Sequence, residues 1–126
     1  MAPRVLIVDG NDDDIRFISD TLAHRGFGID VARDAEGALA AVERARPDVV
    51  LLDVAGPAVR GMELLDRIRA NPNIGATPVV IVTAKTGDED VLAGYKFGAD
   101  YYLTKPLTVR RLLRAMGLVL GREFPE

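Results

Sequence analysis

At 126 residues, against an average domain of roughly 150, the chain is expected to form a single domain over 1–126. Sixteen Lys and Arg against 19 Asp and Glu give a net charge of -3, so no global basic field exists to drive nucleic-acid binding, and DNA is not expected as a direct partner. The absence of cysteine and the single histidine, His24, exclude thiol redox chemistry, thiolate metal sites and multi-histidine metal sites.

The first apolar run, Val5-Leu6-Ile7-Val8, is too short for a signal-peptide core or a membrane helix, which makes a cytoplasmic protein with no membrane partner the expectation. It is rich in β-branched residues and lacks polar alternation, as do Val49-Val50-Leu51-Leu52 and Val79-Val80-Ile81-Val82. Such runs read as strands buried on both faces. Ile15, Ile18 and Leu22 recur at helical spacing, and Gly26 and Gly28 are expected to close that helix. A weaker strand fits Ile29 to Ala32, after which Asp34 is a candidate cap for a helix carrying Ala35, Ala38, Leu39 and Val42, with Pro47 beyond its end. Met62, Leu65 and Ile68 mark a third helix, and Pro72 and Pro78 bracket the turn into the fourth strand. Asp88 to Phe97 reads as a weakly amphipathic helix and Ala99 to Leu103 as a fifth strand. Val109, Leu112, Leu113, Met116 and Leu120 stripe a last helix. The core is expected over about 4–121, and the tail 122–126 reads either as frayed or as the point where a longer protein was cut.

Alternating strands and helices imply a doubly wound α/β sandwich around a five-stranded parallel sheet, in which ligands bind outside the carboxyl ends of the strands. The residues at those ends are Asp9, Asp53, Thr83 and Lys105. Two carboxylates can hold a hard cation while a hydroxyl and an ammonium grip a phosphoryl group. Singly, each has a plainer role, the aspartates as turn or cap residues and the lysine as a solvated charge.

The stretches Val5–Asp9, Pro47–Asp53 with Pro57 and Gly61 downstream, Pro78–Ala84 and Gly98–Pro106 stand in the order and spacing of a known family. The chain resembles the receiver domains of two-component response regulators, including the chemotaxis regulators, over nearly its whole length. That resemblance implies a flavodoxin-like (βα)5 fold of strand order 2-1-3-4-5 and a signalling protein, not an enzyme. It implies a cytoplasmic phosphoprotein of phosphorelay signal transduction that takes a phosphoryl group from a histidine kinase or phosphotransfer protein onto Asp53. By the same resemblance Asp9, Asp53 and the backbone carbonyl of Ala55 would bind Mg2+. Thr83 would donate to the phosphoryl oxygens, and Lys105 would be their cationic partner. Tyr102 falls at the switch aromatic, or is a packing residue on an edge strand. The Lys105–Pro106 peptide would be cis. Output would pass through the face of the fourth helix, fifth strand and fifth helix to a downstream protein or a fused output domain, from a monomer or weak dimer.

Two departures stand out. Gly10 occupies a position where the family usually has a second metal-binding acid. Asn11-Asp12-Asp13-Asp14 then reads as helix capping, or else Asp12 or Asp13 swings toward the metal. Arg60, in Pro57-Ala58-Val59-Arg60-Gly61, places a cation on the rim, either solvated or offsetting altered charge. His24 reads as an exposed residue near a helix end. Three other functions compete with the phosphoacceptor. One is a receiver-like interaction module that works without phosphate because of Gly10. Another is an aspartyl phosphatase, disfavoured by Ala55 where an acid/base Asp is needed. The last is a flavin or dinucleotide binder, disfavoured by the acids after the first strand.

Overall fold

The computed structural model describes residues 2–55 and 60–126. Pro57, Ala58 and Val59 of the quoted motif lie outside the described residues. Strands and helices alternate as β1 (Arg4–Val8), α1 (Asp12–Ala23), β2 (Gly28–Ala32), α2 (Ala35–Ala45), β3 (Val49–Leu52), α3 (Gly61–Ala70), β4 (Val79–Thr83), α4 (Asp88–Lys96), β5 (Tyr101–Thr104) and α5 (Val109–Leu120). The strands form one parallel sheet in the order β2-β1-β3-β4-β5, the topology expected from sequence.

The uniform apolarity of the central strands follows from burial on both sides. Val5 and Ile7 of β1 pack with Val49 and Leu51 of β3 and Val80 and Val82 of β4 against Ile18 and Leu22 of α1 and Leu112 and Met116 of α5. The alternate residues Leu6, Val8, Val50, Leu52, Val79 and Ile81 face the other way, onto Ala38 and Val42 of α2 and Leu64, Leu65 and Ile68 of α3. Gly94 of α4 lies on that same side, where a Cβ would stand 2.8 Å from Ile81 Cδ1 and 2.9 Å from Tyr102 Cδ2. The glycine lets the helix approach the sheet.

Several boundaries differ from the sequence expectation. Gly26 closes the first helical segment in a left-handed turn at φ +85°, whereas Gly28 belongs to β2 and pairs with Arg4. β5 begins at Tyr101 and not at Ala99. The Ala99 N–H is taken by Gly94 O at 3.0 Å, and Asp100 is committed to Val79 N at 2.8 Å and to Arg69 Nη2 at 3.0 Å. Arg69 also donates to the carbonyls of Gly98, Gly75 and Thr77 at 2.9, 3.0 and 2.6 Å, so one side chain ties α3 to the loops leading into β4 and β5. The tail is packed: the Phe124 ring lies 5.1 Å from that of Phe27, and Arg25 donates to the carbonyls of Pro125 and Glu126 at 3.4 Å each.

Candidate functional site

Strand register assembles the rim. Val8 lies opposite Leu52, so Asp9 and Asp53 leave the sheet side by side, and the Asp53 N–H donates to Val8 O at 2.9 Å. Thr83 lies opposite Thr104, which puts Lys105 one residue past the end of the pair, its own N–H on Thr83 O at 2.8 Å. Lys105–Pro106 is cis, as the resemblance implies.

Lys105 Nζ donates to Asp9 Oδ2 at 3.0 Å, to Asp53 Oδ2 at 2.8 Å and to Asp14 Oδ2 at 2.7 Å. Asp9 and Asp53 are 2% and 9% exposed. Their second oxygens are also held, Asp9 Oδ1 by the Asn11 N–H and Asp53 Oδ1 by the Ala55 N–H, at 2.9 and 2.8 Å. Burial pushes the Asp9 carboxyl above its ordinary range, outweighing the Asn11 and Lys105 hydrogen bonds that lower it. For Lys105, burial acts to lower the ammonium, but the hydrogen bonds it donates to Asp14, Asp53 and Asp9 more than reverse this, and the net shift is upward. The ammonium stays charged.

Thr83 is fully buried at the end of β4, and its Oγ1 accepts from the Lys85 N–H at 3.4 Å. The Lys85 carbonyl in turn accepts from the Tyr102 hydroxyl at 2.8 Å. Lys85 therefore links the two expected switch residues through its backbone, a connection that the sequence signals only by its place two positions after Thr83. Tyr102 is half-buried, and burial, with the charges of Asp90 and Asp53, raises its hydroxyl. Its backbone N–H donates to the Tyr95 hydroxyl of α4 at 3.1 Å, which covers part of the free edge of β5.

The acidic segment after β1 divides its labour. Asn11 caps α1 by accepting from the Asp14 N–H at 2.9 Å, and Asp12 pairs with Arg33 at 2.7 Å. Of the acids in that segment it is Asp14 whose carboxylate meets the site, and not Asp12 or Asp13. A Cβ on Gly10 would meet nothing within 4 Å. On the other side of the rim, a Cβ on Gly61 would stand 2.7 Å from Val54 Cα, so α3 starts in direct contact with the turn carrying Asp53 and Ala55. Arg60 is exposed, left-handed at φ +50°, and paired with Glu63 at 3.2 Å. His24 is exposed at the end of α1, with Nδ1 2.8 Å from Asp20 O.

Among the described residues no group of three or more His, Cys, Asp or Glu side chains is placed to hold a metal ion, and the three carboxylates that meet at the rim are gathered on the Lys105 ammonium. The donor chemistry still suits Mg2+, which needs one or two carboxylates, accepts a backbone carbonyl and keeps several waters. Three carboxylates against one ammonium leave the cluster negative.

Residues 5–117 match the model of the response regulator receiver domain. The chain is 38% identical over 119 residues to the probable transcriptional regulatory protein TcrX of Mycobacterium tuberculosis, covering 94% of this chain and 50% of the relative. It is 35% identical over 126 residues to the DNA-binding response regulator MtrA of Mycolicibacterium smegmatis, covering 100% of this chain and 54% of that one. The chain thus spans about half the length of these curated relatives. Among solved structures, Vibrio cholerae chemotaxis protein CheY4 superposes with a TM-score of 0.89 at 32% identity, covering 95% of this chain and all of that one. A putative response regulator from Chloroflexus aurantiacus gives 0.90 at 29% identity, covering 97% and 100%. Sequence and fold agree that the chain belongs to the response regulator receiver domain family.

Proposed function

We propose that the chain is a phosphoacceptor switch in which Asp53 takes a phosphoryl group from a phosphohistidine of a kinase or phosphotransfer protein. The observation that carries this reading is the Lys105 ammonium, 2.8 Å from Asp53 Oδ2 and 3.0 Å from Asp9 Oδ2, at a rim where the hydroxyl-bearing Thr83 ends the next strand. In the transfer an Asp53 oxygen forms a bond to phosphorus as the donor's P–N bond breaks, and the imidazole leaves with the electron pair. The step gathers negative charge at one place, so Lys105 turns from carboxylate to phosphoryl oxygens and Thr83 supplies a hydroxyl donor. Mg2+, held by Asp9, Asp53 and the Ala55 carbonyl, would neutralise charge on the same oxygens.

The output follows from what those movements release. Thr83 Oγ1 turning to a phosphoryl oxygen gives up the Lys85 N–H, and Lys85 also anchors the Tyr102 hydroxyl. The loop between β4 and α4 and the ring of Tyr102 then move together. Leu92, Tyr95 and Phe97 are the exposed apolar residues of that region, the part of the surface best suited to present a changed face to a downstream protein or to a fused domain. The lengths of the relatives named for transcription and DNA binding favour a fused domain, and the full-length match to a chemotaxis protein favours a docked one.

Incubation with a small phosphodonor and Mg2+, read by intact mass, tests the proposal: one phosphate is expected on the wild type and none on Asp53→Asn. No gain under forcing conditions overturns it. A second reading, an interaction module that works without phosphate, is favoured by the closure of the three carboxylates on Lys105 and by the missing acid at Gly10. That reading takes over if the wild type gains no mass.

A further inference from the structure

A helix that starts Asn-Asp-Asp-Asp has the makings of a reciprocal cap, in which the cap side chain takes the N–H of the third helical residue and that residue's carboxylate reaches back to the cap N–H. Half of this arrangement is formed here, with the Asp14 N–H on Asn11 Oδ1 at 2.9 Å. The other half is pre-empted. The Asn11 N–H donates instead to Asp9 Oδ1, also at 2.9 Å, which leaves the Asp14 carboxylate without a capping task. Its Oδ2 accepts from Lys105 Nζ at 2.7 Å, the shortest of the three contacts to that ammonium.

We infer that Asp14 is a positioning residue for Lys105 and supplies, from the first turn of α1, the third carboxylate that the rim lacks at Gly10. The inference deepens the phosphoacceptor reading and rests on it for its consequence in transfer. Asp9 and Asp53 reach Lys105 from strand ends, and Asp14 reaches it from the helix. Once Asp53 is an acyl phosphate, its hold on the ammonium passes to the phosphoryl oxygens, and Asp14 keeps Lys105 at the rim while that exchange occurs. Asp14 also offsets much of the ammonium charge as felt by a divalent cation, so its loss makes the field at Asp9 and Asp53 less negative.

Asp14→Asn preserves the backbone N–H that Asn11 caps, so α1 keeps its start. The wild type, Asp14→Asn, Asp14→Glu and the double variant Gly10→Asp/Asp14→Asn are compared by three measurements. These are the 15N–1H signal of the Lys105 ammonium, an Mg2+ titration followed by backbone amide shifts, and mass gain from a small phosphodonor. In Asp14→Asn the slowly exchanging Lys105 signal is expected to broaden or disappear, and Mg2+ affinity to fall about tenfold. Asp14→Glu should restore the Lys105 signal. Gly10→Asp in the double variant should restore Mg2+ affinity. Wild-type values of both the Lys105 signal and Mg2+ affinity in Asp14→Asn would overturn the inference. If the wild type gains no phosphate but Asp14→Asn alters the Lys105 signal and Mg2+ binding, the phosphoacceptor reading falls and the placement of Lys105 by Asp14 stands.

Discussion

Replacing Lys105 by Met removes the single ammonium that three carboxylates share. Asp9 and Asp53 are 2% and 9% exposed, so water cannot rehydrate them without opening the rim, and removing one partner of a buried charge pair costs about 3–5 kcal/mol. Asp14 is about a third exposed and is partly screened, which sets the expected loss near the lower end, about 3 kcal/mol. For a domain of this length that is a fall in melting temperature of about 10 °C. The pH dependence has a definite sign. Asp9 is raised by burial, so between its ordinary and its folded titration ranges the folded state holds more protons than the unfolded chain, and stability falls as pH rises. Lys105→Met removes an influence that lowers Asp9, which widens that window and makes the deficit shrink on acidification. Lys105 itself is raised, so its contribution in the wild type is complete below the ordinary ammonium range and is lost only in strong alkali. Mg2+ should recover more stability in the variant than in the wild type, because binding to freed carboxylates stabilises the folded state by mass action. Thermal unfolding followed by circular dichroism near pH 7 and near pH 4.5, with and without Mg2+, measures all of this. A variant that melts within about 2 °C of wild type at neutral pH, or whose deficit persists unchanged in acid, would refute the reasoning.

Gly61→Ala is expected to cost about 2–3 kcal/mol in chemical denaturation, since the new Cβ would stand 2.7 Å from Val54 Cα and backbone cannot step aside as a flexible side chain does. It should also slow phosphate gain on Asp53 by displacing the adjoining turn, as intact-mass time courses would register. Arg69→Ala leaves the carbonyls of Gly98, Gly75 and Thr77 and the Asp100 carboxylate short of a donor. A loss of about 2 kcal/mol is expected, with faster amide exchange in the loops leading into β4 and β5. Gly10→Asp meets no atom within 4 Å of its Cβ and adds a negative charge to the rim, so Mg2+ should bind about fivefold more tightly in an amide-shift titration.

The fold was legible because burial on two faces writes itself as unbroken apolar runs. Val5–Val8, Val49–Leu52 and Val79–Val82 could be placed without reference to anything distant in the chain. The errors fell where a local signal competed with a tertiary contact. Gly28 reads as helix punctuation, yet its N–H on Pro3 O at 2.9 Å and its pairing with Arg4 make it a strand residue. Ala99 and Asp100 have the look of a strand's beginning, but Arg69 and the Val79 N–H claim Asp100, and no window of sequence around position 100 contains either partner.

The site divides along the same line. Asp9, Asp53, Thr83 and Lys105 each follow or end a strand, and parallel register alone brings strand ends to one rim, so their convergence could be read from position. Asp14 could not. Its orientation depends on which acceptor wins the Asn11 N–H, and that contest is decided by Asp9 Oδ1, a side chain fixed by its place at the end of β1 and not by anything in the helix. Had Asp9 been turned away, the Asp14 carboxylate would have completed the cap, and Lys105, losing both, would be left with Asp53 alone. The same logic applies to Lys85, whose backbone N–H and carbonyl join Thr83 to Tyr102. Backbone groups are present at every residue, and only the loop's path after β4 selects these two. What a sequence conveys poorly about this rim is therefore not which charged groups reach it but which hydrogen bonds are already taken when they arrive.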